Sequence, residues 1–197
     1  QAGRERRETS ADGIDIMLTL DVSSSMQLND LDEGQKSRFE VAKEVVADFI
    51  RGRVSDRIGM VVFAGESFTQ CPLTLDYDVL LNFQDEIRIA EGEWDGTAIG
   101  MALANASNRL RQAVGKSQVI ILLTDGVNNA GEIDPLTAAD AAAAVGIRVY
   151  TIGVGSDKTI HRPVQGLFGT RYQALEVEID EETLQEEEIQ AATDNPA

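Results

Sequence analysis

Five oxygen-bearing side chains, Asp21, Ser23, Ser25, Thr97 and Asp125, have types and spacings that invite chemistry. Asp21, Ser23 and Ser25 alternate within the run DVSSSM, Thr97 lies in DGTAIG, and Asp125 lies in TDGVNN. Taken singly, each has a plain structural use. An Asp that ends an apolar run and precedes Ser commonly caps a helix, as can a Thr after Gly. An Asp before Gly forms turns. What the five mean together depends on where the chain carries them.

The elements that must position them are legible as hydrophobic pattern. Ile14 to Leu20 (IDIMLTL), RIGMVVFA ending at Ala64, SQVIILLT ending at Thr124 and GIRVYTIGVG ending near Gly155 are short, nearly continuous apolar runs. Such runs are expected of strands buried on both faces of a parallel sheet. Ser37 and Glu40 form a capping box, and Phe39, Ala42, Val45, Val46, Phe49 and Ile50 then follow at helical spacing. A helix from about Asp76 to Glu86 and a stripe of Ile99, Leu103, Ala106 and Leu110 supply two more. Asp134 and Pro135 open the segment LTAADAAAAV, which Gly146 closes. SFTQCPLT reads as an antiparallel edge strand, because Pro72 cannot donate to a ladder. The order β-α-β-β-α-α-β-α-β predicts a doubly wound α/β fold. Its open, mostly parallel sheet has five or six strands, helices on both faces and one short antiparallel edge strand.

Residues 1–12 read as an arm or linker, 13–190 as a single domain and 191–197 as a tail. The stretch 156–176, with Gly166, Gly169 and Pro163, reads as a hairpin or loop excursion. The acidic run from Glu176 to Glu188 reads as a solvated helix face. The polar start without Met predicts a domain excised from a longer protein.

In this fold ligands bind outside the carboxyl ends of strands where strand order reverses. Asp21 and Asp125 stand at two such ends, with Ser23, Ser25 and Thr97 in turns beside them. Two carboxylates and three hydroxyls gathered there would repel and lose solvation unless a cation filled the middle. All are hard oxygen donors, which suit Mg²⁺, Mn²⁺ or Ca²⁺ rather than zinc or copper. So few carboxylates leave waters and an open position to complete the shell, the sparing manner in which Mg²⁺ is bound.

DVSSSM after the first strand, DGTAIG in the middle loop and TDGVNN after the fourth buried strand resemble the metal-ion-dependent adhesion site of von Willebrand factor A (VWA) domains. Asp21, Ser23, Ser25, Thr97 and Asp125 match its five ligand positions. RIGMVVFAGESFTQCPLT and VIILLTDGVNNAGEIDPLTAA extend the likeness, over residues 12–183, to BatA-type aerotolerance proteins of bacteria. The resemblance implies one divalent ion, Mg²⁺ foremost, and a protein partner that offers it an Asp or Glu carboxylate. It further implies a bacterial inner-membrane parent, the periplasmic side favoured, associated with MoxR-type AAA+ ATPases and other Bat proteins. One departure stands out: such domains continue after the acidic helix with a Gly-containing turn and an aromatic edge strand, which LQEEEIQAATDNPA lacks.

Composition narrows the competing functions. The net charge of −17 repels phosphate backbones, so nucleic acid is not an expected partner. Cys71 and His161 each stand alone, which excludes His/Cys zinc sites and leaves Cys71 as a small hydrophobe in an extended run. No apolar run of membrane-spanning length occurs. A Mg²⁺-dependent phosphotransferase-like hydrolase is the enzymatic alternative, since it too places a strand-end Asp beside the metal. Such chemistry needs a second carboxylate two residues on as general acid, and Ser23 stands there. No P-loop and no G-x-S-x-G elbow is present, so a binding module is the expected class and no catalytic residue is assigned. Charge counting adds a refinement. Were both carboxylates in direct contact with a divalent ion they would neutralise it, so an acidic partner requires Asp125 to act at one remove while Thr97 coordinates. Removal of either carboxylate is also expected to stabilise the metal-free protein, by relieving their mutual repulsion.

Overall fold

The structure is a computed structural model that describes residues 13–29, 31, 36–113, 115, 117–126 and 128–155, and the backbone of 160–166 and 169–175. The readings made for residues 1–12, for the acidic run and for 191–197 lie outside the described residues.

Five strands form one sheet: β1 (Asp15–Asp21), β2 (Arg57–Phe63), β3 (Ser67–Thr74), β4 (Gln118–Thr124) and β5 (Ile147–Gly153), in the order β3-β2-β1-β4-β5. β1 runs parallel to both β2 and β4, and β4 runs parallel to β5. β3 is the antiparallel edge strand that Pro72 requires. Its register with β2 shifts between Ile58 and Val61, a bulge that absorbs the missing donor. A separate hairpin joins β6 (Ile160–Gly166) to antiparallel β7 (Gly169–Leu175), where a hairpin or loop excursion was expected.

Alternation along β1 explains the layers. Ile16, Leu18 and Leu20 face a core that includes Ala42, Val46 and Ile50 of α1 (Arg38–Arg51) and Leu80 of α2 (Tyr77–Asp85). Met17 faces the other core, with Ala102, Leu103, Ala106 and Leu110 of α3 (Ile99–Arg111) and Ala138 and Ala142 of α4 (Pro135–Ala144). All seven residues of β1 are buried, so the central strand is covered on both faces, its polar Asp15, Thr19 and Asp21 included. The capping signals act as read. Ser37 and Glu40 complete their box, Asp134 caps α4 with Pro135 in its first turn, and Gly146, at φ 81°, takes the left-handed position after it.

The lower pole of the sheet is tied by Asp15, whose carboxylate takes Arg57 in a two-pronged pair at 2.6 Å and the Gly115 amide at 2.9 Å. Strand order reverses at β1: the chain first winds toward β2 and β3, then crosses to β4 and β5. The crevice between the carboxyl ends of β1 and β4 is the switch point, and the five singled-out oxygens gather there. No helix among the described residues is long and apolar enough to cross a membrane.

Candidate metal centre

Asp21 is the last residue of β1 and is fully buried. Its position follows from the strand: the apolar run carries it to the sheet's edge, and the turn that follows folds Ser23 back onto it. The Ser23 amide donates to Asp21 Oδ1 at 2.9 Å, and the Thr124 hydroxyl, at the end of β4, donates to Oδ2 at 2.5 Å. Ser23 also precedes a short 3₁₀ turn, Ser24–Gln27, that projects Ser25 toward the same point. The Ser23 and Ser25 hydroxyl oxygens lie 3.0 Å apart, and the Ser25 hydroxyl donates to Asp125 Oδ1 at 2.8 Å. Met26 of that turn is buried in the core and Ser24 is exposed, so neither joins the donor set.

Thr97 arrives from a different element and is 3% exposed. It is not the cap of α3, since Ala98 holds that position and offers no side-chain oxygen. The loop after β4 takes over the capping instead. Asn128 Oδ1 accepts from the Ile99 amide at 2.8 Å, and Asn129 Oδ1 accepts from the Thr97 amide at 2.8 Å. The Asn129 amide in turn donates to the Thr97 carbonyl at 3.0 Å. Gly96, at φ 126°, sits against Ala130 and Gly65, a conformation and a clearance that a side chain would oppose. A Cβ at Gly126 would stand 3.4 Å from Thr97 Oγ1, which places the threonine hydroxyl beside the Asp125 turn. Asp95 closes the rim: its Oδ1 accepts from the Ser24 and Gly96 amides, and hydrogen bonding by the Ser24 side chain, then by these two amides, holds its carboxyl below the usual carboxylate range.

The electrostatics are uneven. Burial raises the Asp21 carboxyl from 3.8 to about 6, against the lowering pull of its Ser23 and Thr124 hydrogen bonds and with a further push from the Asp125 charge. Asp125 is compensated differently. Its side chain is buried, and Arg38 Nη1 donates to Oδ2 at 2.8 Å. The expectation that both carboxylates stand as uncompensated charges therefore holds for Asp21 and not for Asp125.

The structure thus brings all five sequence-predicted oxygens to one crevice. The donor chemistry fits a divalent cation, because a buried carboxylate raised by desolvation stands among three hydroxyl oxygens with lone pairs to offer. Sequence reasoning missed Arg38, Asn128, Asn129 and Thr124. Two adjacent asparagines after a strand-end Asp-Gly are a signal that could have found the loop clamp. Arg38 carried none, since it reads as an ordinary polar residue of α1 and its partner lies 87 positions away.

Comparison with known proteins agrees with this fold. The sequence profile of the von Willebrand factor type A domain matches residues 15–165. The structure is similar to an aerotolerance-related membrane protein from Bacteroides fragilis, 32% identical, with a TM-score of 0.67 over 91% of this chain and 89% of that one. It is also similar to BatB from Bacteroides thetaiotaomicron, 35% identical, with a TM-score of 0.66 over 88% and 84%. A thread matrix protein of the mussel byssus, described with zinc occupying its MIDAS motif, is 25% identical over 72% of this chain and 38% of its own, with a TM-score of 0.59. An uncharacterized protein of Borreliella burgdorferi is 33% identical over 146 residues, 74% of this chain; the chain spans 42% of that relative's length.

Proposed function

We propose, from the fact that this chain belongs to the von Willebrand factor type A domain family, that it is a metal-dependent protein-binding module. Asp21, Ser23, Ser25, Thr97 and Asp125 would hold one divalent ion. The observation that carries this reading is the unbroken series of contacts from Asp21 through Ser23 and Ser25 to Asp125, with Thr97 alongside, at the switch point of the sheet. Hard oxygens favour Mg²⁺, with Mn²⁺ or Ca²⁺ as substitutes. The ion supplies an electrophilic position, and the chain's own residues orient the donors and exclude water from their buried side. The partner offers an Asp or Glu carboxylate to that position.

Likeness to an aerotolerance-related membrane protein and to BatB supports a membrane-associated parent of the aerotolerance kind; its tethering at the bacterial inner membrane, periplasmic side favoured, is part of this proposal. BatA-type character, a MoxR-type AAA+ ATPase, other Bat proteins as partners and a role in stress tolerance belong to this proposal. The test is capture of partners from the source membrane with and without EDTA. Capture that requires the ion, and that Asp21→Ala abolishes, is expected; partners retained equally in EDTA would refute metal-dependent binding. Thr97→Ala is expected to weaken partner affinity more than metal affinity, as calorimetry of each would read, and equal losses would remove that role for Thr97.

A further inference from the structure

Arg38 opens a helix whose cap it does not supply. It is the first residue of α1, where the helix dipole favours anions over a cation, and the capping there is already met by Ser37 and Glu40. Its guanidinium turns instead to the Asp125 carboxylate, 2.8 Å away, with the arginine side chain 16% exposed and the aspartate side chain buried. The same group lies against Gly155, two residues past β5, where a Cβ would stand 3.4 Å from Arg38 Cζ. Helix α1, the loop after β4 and the chain just past β5 therefore meet at one cation. The other Asp125 oxygen takes the Ser25 hydroxyl at 2.8 Å, so a single carboxylate joins a fixed positive charge on one side to the donor set on the other.

We propose that Arg38 is the resident counter-charge of the metal centre, compensating Asp125 in the metal-free protein and keeping a bound ion electrophilic toward an acidic partner. This rests on the metal-binding reading above. Of the two carboxylates in the donor set, Asp125 is paired with Arg38, so the guanidinium offsets one of the two negative charges that would face a divalent ion. Without the guanidinium the two carboxylates cancel the ion, and an incoming Asp or Glu meets a neutral site. The guanidinium also repels the ion itself. It is a positioning residue whose removal has effects of opposite sign: the metal binds more tightly, and the loaded site binds anions less well.

The experiment titrates Mn²⁺ calorimetrically into EDTA-stripped wild type, Arg38→Gln, Arg38→Met and Arg38→Lys, and records the metal-free thermal midpoint of each. The Gln and Met variants are expected to melt lower without metal yet bind Mn²⁺ about tenfold more tightly, a coupling of ordinary size. Arg38→Lys, which keeps the charge without the planar fork, stays near wild type in Mn²⁺ affinity. Acetate displaces water from the bound Mn²⁺, read by proton relaxation, more readily in wild type and Arg38→Lys than in the other two. Should Arg38→Gln fail to fold, Arg38→Met retains the apolar stem and carries the comparison. Folded Gln or Met variants that bind Mn²⁺ no more tightly than wild type, or acetate binding equal across all four, would overturn the role of Arg38 alone. Wild type that takes up no Mn²⁺ would overturn the metal reading with it.

Discussion

Burying a carboxylate in low dielectric disfavours its charged form, and Asp21 bears that cost in the metal-free protein. Its folded value of about 6 lies above the 3.8 of the free group. The folded state therefore binds more protons than the unfolded state between those values, and stability falls as pH rises through that window. The loss is bounded at about 3 kcal/mol by the size of the shift. Thermal midpoints in EDTA from pH 4 to 7 should show the decline in wild type, and Asp21→Asn should flatten it and raise the midpoint at pH 7; an unaltered decline would refute the assignment. Removing the Asp125 carboxylate should have the opposite effect on stability, because it breaks the ion pair with Arg38. Asp125→Asn is expected to destabilise the metal-free protein by about 2 kcal/mol, the scale of a charge-assisted hydrogen bond lost at one partner. Chemical denaturation in EDTA checks this, and a gain in stability would contradict the pairing. The sequence spoke for the donors and not for their compensation: D-x-S-x-S is local, whereas Asp125 and Arg38 meet across 87 positions.

At the scale of elements, the strands were legible as short, mostly apolar runs, of which β1, β2 and β4 are buried along almost their whole length. Helix α1 was legible in its capping box and α4 in Asp134 and Pro135. The start of α3 was not. Its first amide, Ile99, is satisfied by Asn128, and the Thr97 amide ahead of the helix by Asn129, both from the loop after β4, a long-range cap that the local sequence of α3 does not carry. This borrowed cap links the Thr97 loop to the Asp125 loop, so damage to it should reach the metal centre. Asn129→Ala, which removes the acceptor of the Thr97 amide, is expected to cost about 1 kcal/mol, the scale of one hydrogen bond lost at a buried amide, and to weaken Mn²⁺ binding by releasing Thr97. Denaturation and calorimetry of the same variant separate the two effects; normal Mn²⁺ affinity in a destabilised variant would limit the clamp to stability. At Gly100 an added Cβ would fall 1.9 Å from the Ile133 carbonyl oxygen. Gly100→Ala should therefore lower stability by roughly 1–3 kcal/mol through overpacking of α3 against that loop.

For the whole molecule the governing quantities are charge and linkage. A net charge of −17 sets up a repulsive field toward other acidic surfaces, although at physiological salt it decays within about 8 Å. An acidic partner is thereby disfavoured over the acidic surface and admitted where an ion reverses the sign, which makes binding specific by exclusion elsewhere. An ion that binds only the folded chain also stabilises the entire fold, by about 2.7 kcal/mol at a hundredfold excess over Kd. The most direct measurement is the thermal midpoint of EDTA-stripped protein against added Mg²⁺ or Mn²⁺ at pH 7, for wild type and Asp21→Ala. The account predicts a concentration-dependent rise in wild type that is absent in Asp21→Ala; a wild-type midpoint unmoved at millimolar metal would contradict it.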